Sequence, residues 1–296
     1  MEDQRKTFID NAAIAKAIER YKKKEPSPTF SQYKNVCFLD IMGFRSMVFS
    51  TDLNKCPYTG TIPILLWIKS LGAAVKNVIN RYRSVDGETK IKFLIISDSF
   101  YLFFNDGEIE KVQLLIGLIY FLSLKSGIYI RGAISSAAMI SLPNEMDSMF
   151  IGKGIIESYE METSISRFSR IVVSSHLIFS NYLSADDDGV YVFRVFKFLR
   201  ENYSSILQLF SYFDDKVGSL DKCQDCSIAL ENHCLLQSFS THFLSFDEEM
   251  ERIKKNILSN KIKFSSSISG EKKYLEDMAI YMKYCELEKE IEKEEG

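Results

Sequence analysis

The spacing of apolar residues changes period several times along the chain, and each change predicts an element. Residues 1–24 carry Ile9, Ala13, Ile14, Ala17 and Ile18 at helical intervals and end in YKKKEPSP. That charge run with two prolines reads as a helix stop followed by a linker. NVCFLDI (35–41) is a short strand, apolar on both faces. IPILLWIKSLGAAVKNVINRY (62–82) repeats its apolar residues every three or four positions, as an amphipathic helix does. KIKFLIISDSFYLFF (90–104) reads as two strands hinged at Ser97, Asp98 and Ser99. EIEKVQLLIGLIYFLSLKS (108–126) predicts a buried helix and GIYIRGAISSAAMI (127–140) a strand. The order β-α-β-β-α-β is that of the ferredoxin-like, or palm, plan and places the chain in the α+β class.

MFIGKGIIESYEMETSISRFSRIVVSS (149–175) then predicts a short strand, a glycine turn, a helix to about Ser166 and another strand, extending the palm. LIFSNYL (177–183) reads as helical, and DDDGVYVFRVFKF (186–198) as an acidic turn followed by a strand. Beyond about residue 200 only helical patterns occur. They end in a long charged helix with Leu275, Met278, Ile280, Met282 and Cys285 on its apolar stripe. Three regions are expected: an N-terminal helix and linker over 1–30, an α+β domain over 31–198, and an α-helical region over 199–296.

Composition narrows the class without naming a function. Of 296 residues, 46% are hydrophobic and 26% charged, which suits a soluble globular chain. A net charge of −3 gives no general attraction to nucleic acid or to an anionic membrane, so neither is expected as a partner. The apolar run VQLLIGLIYFLSL (112–124) is too short to span a bilayer, and the polar start MEDQRKTFID is unlike a signal peptide. Six cysteines without scaffold spacing fit reduced thiols in a cytoplasm.

The candidate chemistry lies in two acids. Asp40 ends the first palm strand, and Asp98 sits in the tight turn between the next two. In a βαββαβ sheet the first and third strands are neighbours, so that turn reaches the edge where the first strand ends. Paired carboxylates there are a hard oxygen donor set for Mg²⁺ or Mn²⁺, and two such ions suit in-line displacement at phosphorus.

FLDIMGF (38–44) resembles the signature that opens class III nucleotidyl cyclase domains. The resemblance implies that Asp40 and Asp98 hold two Mg²⁺ or Mn²⁺ ions, that Ile41 adds its backbone carbonyl, and that Gly43 and Phe44 form the phosphate-side turn. IISDSFYLFF (95–104) resembles the second metal motif, with Ser97 where the family usually has Gly. YIRGAISS (129–136) is similar to the Arg-x-Gly-Ile strand and places Arg131 and Gly132. Residues 149–167 resemble the strand–turn–helix that a partner subunit contributes in head-to-tail dimers, so a homodimer with shared sites is implied. Over roughly 34–197 the wording is similar to divergent bacterial pyrimidine cyclases of Pycsar anti-phage systems. Those make cyclic CMP or cyclic UMP from a nucleoside triphosphate.

Several positions depart from the family. Leu94 and Met149 replace the Lys and Asp that read adenine, and Ile156 and Glu160 stand near the family's catalytic Asn and Arg. Replacement charge can come from Lys153, Arg131, Arg167 or Arg170. A second reading, a catalytically inactive cyclase-homology domain that binds nucleotide or dimerises, therefore stays open. Cys223, Cys226, His233 and Cys234 have zinc-ligand residue types, but the second pair is adjacent rather than spaced. His176 lacks a nucleophile elbow beside it and suits a helix cap.

Overall fold

A computed structural model of the chain describes residues 31–44, 63–86, 89–142, 149–166, 169–174, 182–185, 189–210 and 245–266. The palm comprises β1 (Ser31–Ile41), α1 (Pro63–Asp86), β2 (Lys92–Ile96), β3 (Ser99–Phe104), α2 (Ile109–Lys125) and β4 (Ile130–Leu142). It continues through β5 (Met149–Gly152), α3 (Lys153–Ser164), β6 (Ile171–Val173), β7 (Leu183–Ala185) and β8 (Tyr191–Phe193). The helices α4 (Val195–Phe210) and α5 (Phe246–Ser266) follow. The strands form one sheet in the order β2-β3-β1-β4-β6-β8-β7, with β5 paired to β4. The first four positions of that order are the palm arrangement expected from the sequence, with β1 between β3 and β4 and antiparallel to both.

Alternation in the central strands sends side chains into two layers. Cys37, Leu39, Ile41, Phe93, Phe100, Leu102, Phe104, Ile130 and Ile134 enter the main core with α1 and α2. Val36, Phe103 and Ala133 point the other way, where Ile155, Met161 and Ile165 of the α3 segment cover them. Pro63 suits the first turn of α1, where its missing N–H leaves no bond unmade. From there Trp67, Leu71, Ala74, Val75 and Val78 bury one stripe, and Trp67 Nε1–H donates to Ser126 Oγ at 2.8 Å.

Helix α2 is buried from Val112 to Leu124 on nearly every side, because the sheet lies against one face and α4 and α5 against others. At Gly117 an added Cβ would meet the Phe198 ring at 2.9 Å, so this glycine lets α4 approach closely. Phe196, Phe198, Leu199, Tyr203 and Ile206 of α4, with Met250, Ile253 and Ile257 of α5, are buried in the same core as the sheet. The 198/199 boundary thus falls inside α4. Each fully buried large apolar side chain contributes about 1.5–3 kcal/mol of transfer free energy.

Two local expectations are corrected. Leu183, read as helical, begins strand β7, which pairs with β8. The strand expected through Phe198 stops at Phe193, and a helix starts at Val195. In both places a short apolar run fits either period, and the partner decides: β8 for the first, α2 for the second. The 1–30 helix, the helix beyond 266, Arg167, His176 and the Cys223/Cys226/His233/Cys234 group lie outside the described residues. Among the described residues no helix is long and apolar enough to cross a membrane.

Candidate active site

Backbone bonding brings the two acids to one edge. Ile41 N–H donates to the carbonyl of Asp98 at 3.3 Å, tying the β2–β3 turn to the end of β1. Met42 N–H then donates to the Tyr129 carbonyl at 2.8 Å, and Gly43 turns the chain with φ +76°. The turn after β2 needs a left-handed residue, and Ser97 supplies it at φ +58°. A residue with a Cβ is strained there by about 1 kcal/mol, which is why glycine suits the position.

On the strand register Asp40 stands opposite Ser99 of β3 on one side and Arg131 of β4 on the other. Ser99 Oγ–H donates to Asp40 Oδ1 at 3.1 Å. Arg131 Nη2 lies 3.8 Å from Asp40 Oδ2, while its Nε is paired with Glu162 of α3. Arg131 Nη1 donates to the Ser166 carbonyl at 3.4 Å. The Asp40 side chain keeps 20% exposure and that of Glu162 only 2%. Tyr101 lies on the same face, 4.9 Å from the Phe38 ring centre, and Phe38 is 5.9 Å from Tyr159. Burial first, then the charges of Asp40, Glu162 and Asp98 with neighbouring Tyr159, push the Tyr101 phenol above its ordinary pKa. Asp40, Asp98 and Glu162 thus all bear on one patch of the sheet.

The donor set suits a hard divalent cation. Asp40 and Asp98 offer carboxylate oxygens on adjacent strand ends, both partly exposed, and the Arg131 contact to Asp40 is longer than a tight charge-assisted bond. Among the described residues no three His, Cys, Asp or Glu side chains converge as a closed metal cage. Two protein carboxylates plus substrate phosphates is a usual way to hold Mg²⁺.

The remaining expected site residues scatter. Ile41 is buried, and Phe44 packs partly against the main core, so its ring serves packing. Leu94 sits against the small cluster of Tyr33, Val36 and Phe103. Met149 pairs with Leu142, and Gly152, just before exposed Lys153, pairs with Met139. Met139 is eight residues beyond Arg131 on β4, about 26 Å at roughly 3.3 Å per residue. Within one chain Met149 and Lys153 are therefore at the opposite end of the sheet from Asp40. Ile156 and Glu160 are exposed on α3, and Arg170 is buried with Nη2 donating to the Ile165 carbonyl. The residue that sequence reasoning missed is Glu162. Its signal was an acid on the inward stripe of α3, in step with Ile155 and Ser158.

No family model matches the chain, and no curated protein matches it. Among solved structures it is similar to a bacterial light-regulated adenylyl cyclase at 11% identity, covering 62% of each chain with a TM-score of 0.38. It is also similar to a guanylyl cyclase at 13% identity, over 56% of this chain and 92% of that one, with a TM-score of 0.33. A third is an adenylyl cyclase from P. aeruginosa, at 15% identity over 55% and 95%, with a TM-score of 0.36. The chain thus spans less than two thirds of the light-regulated cyclase.

Proposed function

We propose that this chain is a nucleotide cyclase. The ribose 3′-hydroxyl of a ribonucleoside triphosphate attacks the α-phosphorus, the hydroxyl proton is released, and the bond to pyrophosphate breaks. The observation that carries the reading is the backbone tie that sets Asp40 and Asp98 on neighbouring strand ends. Asp40 and Asp98 would hold two Mg²⁺ or Mn²⁺ ions, which would supply the positive charge that favours loss of the hydroxyl proton and departure of pyrophosphate. Ser99 orients the Asp40 carboxylate by its hydrogen bond. Arg131 adds a fixed positive charge beside the phosphates. Gly43 turns the chain at φ +76° beside open space, which leaves room for a triphosphate.

Leu94 and Met149 remove the side chains that read adenine in the resembled family, and we assign the base as a pyrimidine, from CTP or UTP. The same resemblance suggests a second-messenger role in anti-phage defence, in the cytoplasm. Lys153 and Met149, far from Asp40 in one chain, serve the site of a second copy in a head-to-tail homodimer. The inactive, nucleotide-binding alternative draws on Ile156 and Glu160, which stand where the family places its Asn and Arg.

Incubation with each of the four ribonucleoside triphosphates and Mn²⁺, read by mass spectrometry, tests both. A cyclic product that falls about 100-fold or more in Asp40→Asn and in Asp98→Asn supports the cyclase. Nucleotide binding without any product in the dimer supports the inactive domain, and equal activity in both variants ends the proposal.

A further inference from the structure

Arg131 is shared between two acids of different standing. Its Nε is paired with Glu162, which is 2% exposed, and Nη1 donates to the Ser166 carbonyl just past α3. Nη2 reaches toward Asp40, at 3.8 Å. A tight Arg–carboxylate bond lies near 2.7–2.9 Å, so the Asp40 contact is stretched by about 1 Å. Both anchors of the guanidinium lie on α3 or just after it, and the strand-bound Asp40 holds the weaker end. We infer that Glu162 is a positioning residue: it retains Arg131 on α3 and so limits the guanidinium's hold on Asp40, so that a divalent cation can compete for that carboxylate.

The energetic logic is competition. A buried carboxylate is stable only with a cationic partner, and a guanidinium at the sheet face seeks the nearest anion. With Glu162 present, the nearest anion is on the helix. Without it, the nearest is Asp40, less than 4 Å away, and Arg131 closes onto it. A cation must then displace the guanidinium before it can bind. The inference deepens the proposed function and rests on Asp40 being a cation ligand.

Mn²⁺ binding to the full chain, followed by the electron paramagnetic resonance of free Mn²⁺, tests this without turnover. Glu162→Gln is expected to weaken Mn²⁺ binding about tenfold, the scale of one lost charge-assisted contact. Losing a negative charge also weakens binding through the general field, so the comparison is made in a second background. In Arg131→Ala, where nothing can collapse onto Asp40, adding Glu162→Gln costs at most about twofold. Equal losses in both backgrounds overturn the positioning role, as does unchanged binding in Glu162→Gln alone. If the native chain binds no Mn²⁺ at all, the acid-pair reading fails and takes this inference with it. Circular dichroism on each variant separates these outcomes from misfolding, and Glu162→Asp is expected to restore part of the affinity.

Discussion

Lys125 on α2 and Glu249 on α5 make an ion pair at 3.2 Å with side-chain exposures of 3% and 0%. Replacing Lys125 with Met keeps much of the apolar stem but strands a carboxylate in the core. At an effective dielectric of about 20 the pair's gross attraction is about 5 kcal/mol, and desolvating each ion costs several kcal/mol in return. Burial is indeed the largest influence on Lys125, pulling its pKa below the ordinary value against the favourable pull of Glu249. The intact pair is therefore worth little net, whereas either single removal is expensive. We expect Lys125→Met to cost about 3–5 kcal/mol. The double change Lys125→Met with Glu249→Leu should be near neutral or stabilising, because Glu249 Oε2 has no hydrogen-bond partner among the described residues. Urea unfolding of the two singles and the double, followed by circular dichroism, measures the cycle. A single-variant loss under about 1 kcal/mol, or a double loss equal to the sum of the singles, would refute the reasoning.

Three further outcomes follow from local geometry. Ser97→Gly should raise stability by about 0.5–1 kcal/mol, since φ +58° is free for glycine, and an unchanged melting point counts against the strain. Gly132→Ala places a Cβ 2.4 Å from the Phe38 carbonyl oxygen and 2.6 Å from Leu39, so a loss of roughly 2–3 kcal/mol is expected in chemical unfolding. Tyr203 is 9% exposed, and burial, aided by the Glu249 charge, pushes its pKa from about 10 up to about 12. The folded state keeps that proton longer than the unfolded chain. Stability from this group is therefore whole below pH 10 and lost between about 10 and 12, a change of about 2–3 kcal/mol. Alkaline unfolding of native and Tyr203→Phe protein checks the sign, because the variant should show a shallower fall in that window.

Much of the palm was legible because its periods are unambiguous. The β1, α1, β2, β3, α2 and β4 segments are each long enough for burial to impose a clear repeat, and the 97–99 hinge is marked by polar residues between apolar runs. Where a run was short, as at 177–183 and 190–198, both periods fitted. At Leu183 the neighbour β8, and from Val195 the neighbour α2, chose between strand and helix.

By itself the sequence determined the α+β order and the two acids, since strand ends and turns are local properties of the chain. Tertiary structure alone decided who stands beside Asp40. Ser99, Arg131 and Glu162 are 59, 91 and 122 residues away along the chain, and sheet register and the lie of α3 bring them together. The same register carried Lys153 to the far end of the sheet, because β4 runs eight residues past the acid edge before β5 and α3 begin. Spacing along a chain fixes which residues share a strand or a helix face. It does not fix which strand a helix lies across, and that choice is made by the packing of apolar faces.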